Sequence, residues 1–154
     1  KAFNTLGLEL RIIGSGSEES YLKSIAKPNI KFLGAVNDNI LVKEYGCARA
    51  IIFTPELEYG LIPIEANAAG KIVIAYGKGA IWETMIPYNK KVNNDDFTAV
   101  FFEQQEQENL IEAVEIERKL KVNRTFIAEH AKRFSISKFK AKLRTIIEEE
   151  TARK

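Results

Sequence analysis

Chemically specialised residues are scarce in this sequence. The 154 residues include one cysteine, Cys47, and one histidine, His130. A lone cysteine excludes an internal disulfide and points to a reducing, cytoplasmic setting. With Cys47 and His130 as the only soft ligands, no metal is expected. With His130 the single histidine, no serine–histidine–acid or cysteine–histidine nucleophile is expected. No apolar run approaches the roughly 20 residues that a bilayer span requires, and no signal peptide opens the chain. The first residue is Lys1 rather than Met, which leaves room for upstream sequence. No charge sign dominates either, since 23 Lys and Arg against 21 Asp and Glu leave +2. That balance names no partner, and none made of nucleic acid is expected. What remains, 45% hydrophobic and 29% charged, is the composition of a soluble globular domain.

Short apolar runs alternate with helical segments. Leu8–Ile13, Ile30–Leu33, Ala50–Phe53, Ile72–Ala75 and Thr98–Phe102 read as strands. Between them lie helices expected over about 17–27, capped by Ser15 or Ser17, over 37–45, opened by Asn37 or Asp38, and over 62–69. A short helix follows over 81–86. Strand–helix alternation of this kind means βαβ units and a parallel sheet. The expectation is therefore α/β, a Rossmann-like doubly wound parallel sheet with helices on both faces, occupying residues 1–154 as one domain. Beyond Phe102 the chain reads as helical. Leu110, Ile111, Val114 and Leu120 form one apolar stripe; Ile136, Phe139, Leu143, Ile146 and Ile147 form another, with Ser135 as its cap. Cys47 and Trp82 read as core residues, and His130 as structural.

Thr54 to Gly70 is the most informative stretch. It follows the apolar run Ala50–Phe53, and Gly60 is expected to turn the chain through backbone angles closed to other residues. Pro63 suits a first helical turn, and Gly70 suits the position after a helix end. The amides around Leu61 and Ile62 would then lie at the positive end of a helix dipole, where phosphate binds. Glu65, one turn in, would accept hydrogen bonds from hydroxyls of whatever carries that phosphate. Gly14-Ser15-Gly16 is only part of a dinucleotide-binding glycine pattern and reads better as a tight turn.

Charge changes sign late in the chain. Glu103 to Glu117 carries only acids, whereas Arg118 to Arg144 carries ten basic residues and one acid, Glu129. One reading is contact between residues 118–144 and anionic lipid headgroups or nucleic acid, of which the lipid is preferred. The other is a pair of solvated helix faces of opposite sign.

The order and spacing of several segments resemble one family over nearly the whole chain. They are Leu10-Arg11-Ile12-Ile13-Gly14-Ser15-Gly16, Phe32-Leu33-Gly34-Ala35-Val36, residues 54–70, Ala68 to Tyr76, Gly79 to Thr84, Val100 to Gln105, and Ala131-Lys132-Arg133-Phe134-Ser135. This pattern resembles the C-terminal half of retaining, nucleotide-sugar-dependent glycosyltransferases of family four (group 1), with the GT-B fold. Within them it is most similar to mannosyltransferases that build O-antigen, lipopolysaccharide and related surface polysaccharides. The resemblance implies a nucleotide-diphosphate sugar, GDP-mannose or a UDP-sugar, as donor, and no other cofactor. It implies that Glu65 holds the ribose and that the Leu61 and Ile62 amides meet the diphosphate. Tyr59 and Gly60 would meet the sugar, and the main chain at Ala35 and Val36 the base. Leu57 stands at the register of the family's first motif Glu; Glu56 and Glu58 flank it, either needing a local bulge to reach the sugar, and Glu58 is the preferred catalytic candidate. Gly79-Ala80 replaces a Gly-Gly pair, and Ala99 a glycine. The family's diphosphate-clamping Arg and Lys precede Lys1-Ala2-Phe3-Asn4. The resemblance thus implies a domain truncated at its first strand and helix, partnered by a missing N-terminal acceptor domain, and inactive alone. The implied setting is cytoplasmic, at the inner face of the membrane. The alternative is a non-catalytic nucleotide- or sugar-binding module descended from the same family.

Overall fold

The computed structural model describes residues 1–56, 59–91 and 96–152. In chain order the elements are α1 (Ala2–Leu6), β1 (Leu10–Ile13), α2 (Glu19–Ile25), β2 (Ile30–Gly34), α3 (Asp38–Cys47) and β3 (Ala50–Phe53). They continue with α4 (Leu61–Ala68), β4 (Ile72–Tyr76), α5 (Ile81–Thr84), β5 (Ala99–Phe102), α6 (Gln107–Lys119), α7 (Arg124–Ala131) and α8 (Ile136–Ala152). All strand pairs are parallel, so the α/β expectation holds. The sheet is divided, however: β1 pairs with β2, and β3, β4 and β5 pair in that order. One cluster nonetheless takes residues from both parts. Leu10 and Ile30 of the first sheet and Ala50 and Ile52 of the second pack on the core formed by Ile72, Ile74, Val100 and Ile127.

β4 is the spine of the larger sheet because it is flanked by strands and covered on both faces. Each of its residues, Ile72 to Tyr76, is buried. Full burial of one such aliphatic side chain contributes about 1.5–3 kcal/mol. The side chains alternate between two clusters: Ile72, Ile74 and Tyr76 face one, and Val73 and Ala75 face the other, with Phe53, Ala66 and Met85. This two-sided burial explains why the run is continuously apolar rather than alternating.

Some helix starts follow local chemistry. Asn37 Oδ1 accepts from the Ile40 amide at 3.0 Å and starts α3, and Ser135 Oγ accepts from Lys138 N at 3.4 Å before α8. The start of α2 departs from expectation. Its N-cap is Glu18, with no side-chain cap bond, so neither Ser15 nor Ser17 caps it. Two strands are shorter than the runs that predict them, β1 beginning at Leu10 and β5 at Ala99, and two run one residue longer, β2 to Gly34 and β4 to Tyr76. Thr98 is instead spent on a connection. Its buried Oγ1 accepts from Ile86 N at 2.9 Å, tying the end of α5 to the start of β5.

The two late stripes differ. Val114 is buried, and Leu110, Ile111 and Leu120 pack against the core. On α8, Ile136, Phe139, Leu143, Ile146 and Ile147 are all exposed. No described helix is long and apolar enough to cross a membrane.

Candidate functional site

Parallel strands present their carboxyl ends on one edge of each sheet, and ligands of open α/β folds collect there. At that edge lie residues 35–37 after β2, 54–56 and 59–60 after β3, and 77–80 after β4. The loops are tied to one another. Gly14 N donates to Gly34 O at 2.8 Å, joining the loop after β1 to the end of β2. Gln105 Nε2 donates to Thr54 O at 2.8 Å, joining the loop after β5 to that after β3.

α4 begins at this edge. Gly60 is its N-cap, and no side-chain hydrogen bond caps it. The expectation for Gly60 fails in its reason, though not in its place. Its φ of −123° and ψ of 120° are extended angles open to any residue. Space is what favours glycine here: an added Cβ would stand 3.1 Å from Phe53 Cζ, and Phe53 is buried. Leu61 and Ile62 are the first two helical residues, both with exposed side chains, and Pro63 is third and buried. A proline there removes an amide with no intrahelical partner and pre-sets the helical φ.

The far end of α4 is fixed more firmly. Gly70 has φ +68°. Its amide donates to Asn67 O at 2.8 Å, and the Lys71 amide to Ala66 O at 2.9 Å. This pair of bonds is the Schellman closure. Asn67, fully buried, donates from Nδ2 to Lys71 O at 3.0 Å and Thr98 O at 3.3 Å. The C-terminal end of the helix is thereby tied to the residues that lead into β4 and β5.

Glu65 lies one turn into α4 and is exposed. Its Oε2 accepts from the Tyr45 hydroxyl of α3 at 3.1 Å. Burial, with the neighbouring Glu65 charge, pushes the Tyr45 phenol up to about 12. The raised value favours the neutral phenol, so Tyr45 remains a donor through the usual tyrosine range and loses that role only as pH rises towards 12. Sequence reasoning missed Tyr45: it stands 20 positions before Glu65, and no local pattern links them.

The other expected positions distribute as follows. Tyr59 and Gly60 lead directly into α4, with Tyr59 58% exposed. Ala35 is exposed and Val36 half-buried in the loop that ends at the Asn37 cap. Glu58 and its neighbour Leu57 lie outside the described residues. Two core expectations are corrected. Cys47 is exposed at the end of α3. Trp82 is 58% exposed, because its Nε1 donates to Gly77 O at 2.8 Å while its ring meets Phe101 edge-on at 4.8 Å. His130 is structural, half-buried between Phe126 and Phe134, with burial and Arg133 holding its pKa down. Lys78, in the loop after β4, sits over the Tyr76 ring at 5.6 Å. Among the described residues no three His, Cys, Asp or Glu side chains form a metal-holding group.

Comparison with protein families matches residues 1–135 to the model described as "Glycosyl transferases group 1". Comparison with curated proteins gave no match. Among solved structures, sucrose-phosphate synthase from Thermosynechococcus elongatus superposes with a TM-score of 0.72 at 17% identity, over 95% of this chain and 39% of that one. The pneumococcal O-GlcNAc transferase GtfA, in complex with UDP and GlcNAc, gives 0.63 at 20% identity, over 96% and 31%. Anabaena HepE, in complex with UDP, gives 0.64 at 18% identity, over 92% and 41%. At these identities the likeness shows the fold. The chain spans about two fifths or less of the length of these structures.

Proposed function

The chain belongs to the group 1 glycosyl transferases, and from that premise we propose that it is the nucleotide-sugar-binding domain of a retaining glycosyltransferase. One observation carries the reading. An α4 N-terminus without a side-chain cap lies at the carboxyl edge of a parallel sheet, with the exposed carboxylate of Glu65 one turn inside it. The first offers amide N–H groups and a positive dipole end to a diphosphate; the second offers an acceptor to a diol. In this reading Leu61 and Ile62 hold the diphosphate through their amides, and Glu65 holds the ribose. Tyr59 and Gly60 meet the sugar, Ala35 and Val36 meet the base, and Glu58 is the catalytic contact to the sugar. Stabilising the leaving diphosphate electrostatically promotes transfer without a protein nucleophile.

The finer reading is mannosyl transfer, from GDP-mannose or a UDP-sugar, in surface polysaccharide or lipopolysaccharide assembly. An upstream strand, a basic clamp and an N-terminal acceptor domain complete the enzyme, and the chain alone is inactive. The divided sheet supports an added strand, since among the described residues β1 and β3 each pair on one side only. A cytoplasmic site at the inner membrane face belongs to the same reading. All ten basic residues from Arg118 to Arg144 are exposed, which favours anionic headgroups. Failure to sediment with anionic vesicles would remove that part.

The deciding experiment is Glu65→Ala in the full-length protein. Donor binding should weaken about 10- to 100-fold, as expected for a lost hydrogen bond to a charged group, while the melting temperature changes little. Equal losses in both would make Glu65 a structural residue and sink the assignment.

A further inference from the structure

An exposed glutamate on a helix ordinarily samples several side-chain rotamers. Glu65 does not have that freedom, because the Tyr45 hydroxyl donates to one of its oxygens at 3.1 Å. Tyr45 itself is anchored: it lies in the last turns of α3, is half-buried, and packs against the cluster of Phe53, Ala66 and Val73. Ala66 follows Glu65 directly on α4, so phenol and carboxylate are referred to the same rigid packing. An ionised carboxylate offers about four acceptor sites on its two oxygens. A single donation at Oε2 therefore holds the group in place and leaves Oε1 to accept from a ligand.

We propose that Tyr45 is a positioning residue, fixing the Glu65 carboxylate in the orientation that accepts the ribose hydroxyls of the nucleotide donor. The inference rests on the reading of Glu65 given above. Its physical content is preorganisation. A rotamer-rich side chain that must be immobilised when the ligand arrives weakens binding by about 3- to 10-fold. Here the immobilisation is completed during folding, by a phenol held on a neighbouring helix.

Tyr45→Phe keeps the ring and its packing and removes only the hydroxyl. The test measures binding of UDP or GDP, whichever binds the full-length protein more tightly, alongside its 2′,3′-dideoxy form. The wild type, Tyr45→Phe, Glu65→Ala and the double variant are titrated with both. Tyr45→Phe should weaken the ribonucleotide about 3- to 10-fold, leave the dideoxy form within about 2-fold, and add no loss to Glu65→Ala. Equal weakening for both ligands would make Tyr45 merely structural and overturn the inference. So would unchanged ribonucleotide binding in Tyr45→Phe while Glu65→Ala still discriminates the two ligands, an outcome that leaves the ribose reading standing. If Glu65→Ala does not discriminate them, or neither nucleotide binds, the ribose reading and this inference fall together.

Discussion

Single residues show where charge and space depart from the pattern that encodes them. Glu117 stands in a run of acids that reads as a solvated face, yet it is 2% exposed. Its Oε2 accepts from Arg49 Nε at 2.9 Å, and the Arg49 guanidinium also donates to the Arg118 carbonyl at 3.1 Å. The arginine therefore neutralises a buried acid and satisfies a carbonyl at the end of α6. The pair is asymmetric, because the Arg49 side chain is 59% exposed and that of Glu117 only 3%. Removing Arg49 strands a buried charge; removing the Glu117 charge strands a cation that water can reach. Arg49→Met should destabilise by about 2–3 kcal/mol, somewhat less than a fully buried pair loses, and Glu117→Gln by about 1 kcal/mol. Urea denaturation of both would contradict this if the order were reversed. The pairing was not legible beforehand, since the partners are 68 positions apart and their charges match many others. Gly60 shows a subtler failure: its position was readable, but the reason for it, a close approach by Phe53, exists only after folding.

Elements were the most legible scale. Five strands follow from runs of four to six residues punctuated by turn residues; β4, buried throughout, is continuously apolar because two-sided burial leaves little sequence freedom, whereas β1 and β2 alternate between half-buried and exposed positions. Their ends were less legible, since competing side chains or packing decide the last residue. Asn37 and Ser135 cap as expected, whereas α2 starts without either serine. α4 combines both cases. Its C-terminal closure at Gly70 is written in the sequence, and the structure adds a second constraint: a Cβ there would meet the Arg124 carbonyl at 3.3 Å. Gly70→Ala should cost about 1–2 kcal/mol from the left-handed backbone alone and lower the melting temperature by about 2–8 °C. An unchanged melting temperature would show that α4 does not depend on this closure for its orientation.

At the scale of the molecule, the α/β class and parallel strand pairing were readable, and the division of the sheet was not. Strand order depends on which edges find partners, and no run of residues records that. The candidate site was readable in part for the same reason. Leu61, Ile62 and Glu65 all lie on α4, so a local pattern is enough to propose them. Tyr45 reaches the site only because the fold brings the end of α3 within a side chain's reach of Glu65 on α4.

The central claim is that the exposed start of α4 seats a diphosphate. A structure of the full-length protein with bound UDP or GDP tests it most directly. The account predicts diphosphate oxygens about 2.7–3.2 Å from the Leu61 and Ile62 amides, with a ribose hydroxyl on Glu65. A nucleotide bound elsewhere, with the α4 N-terminus facing only solvent, would contradict it.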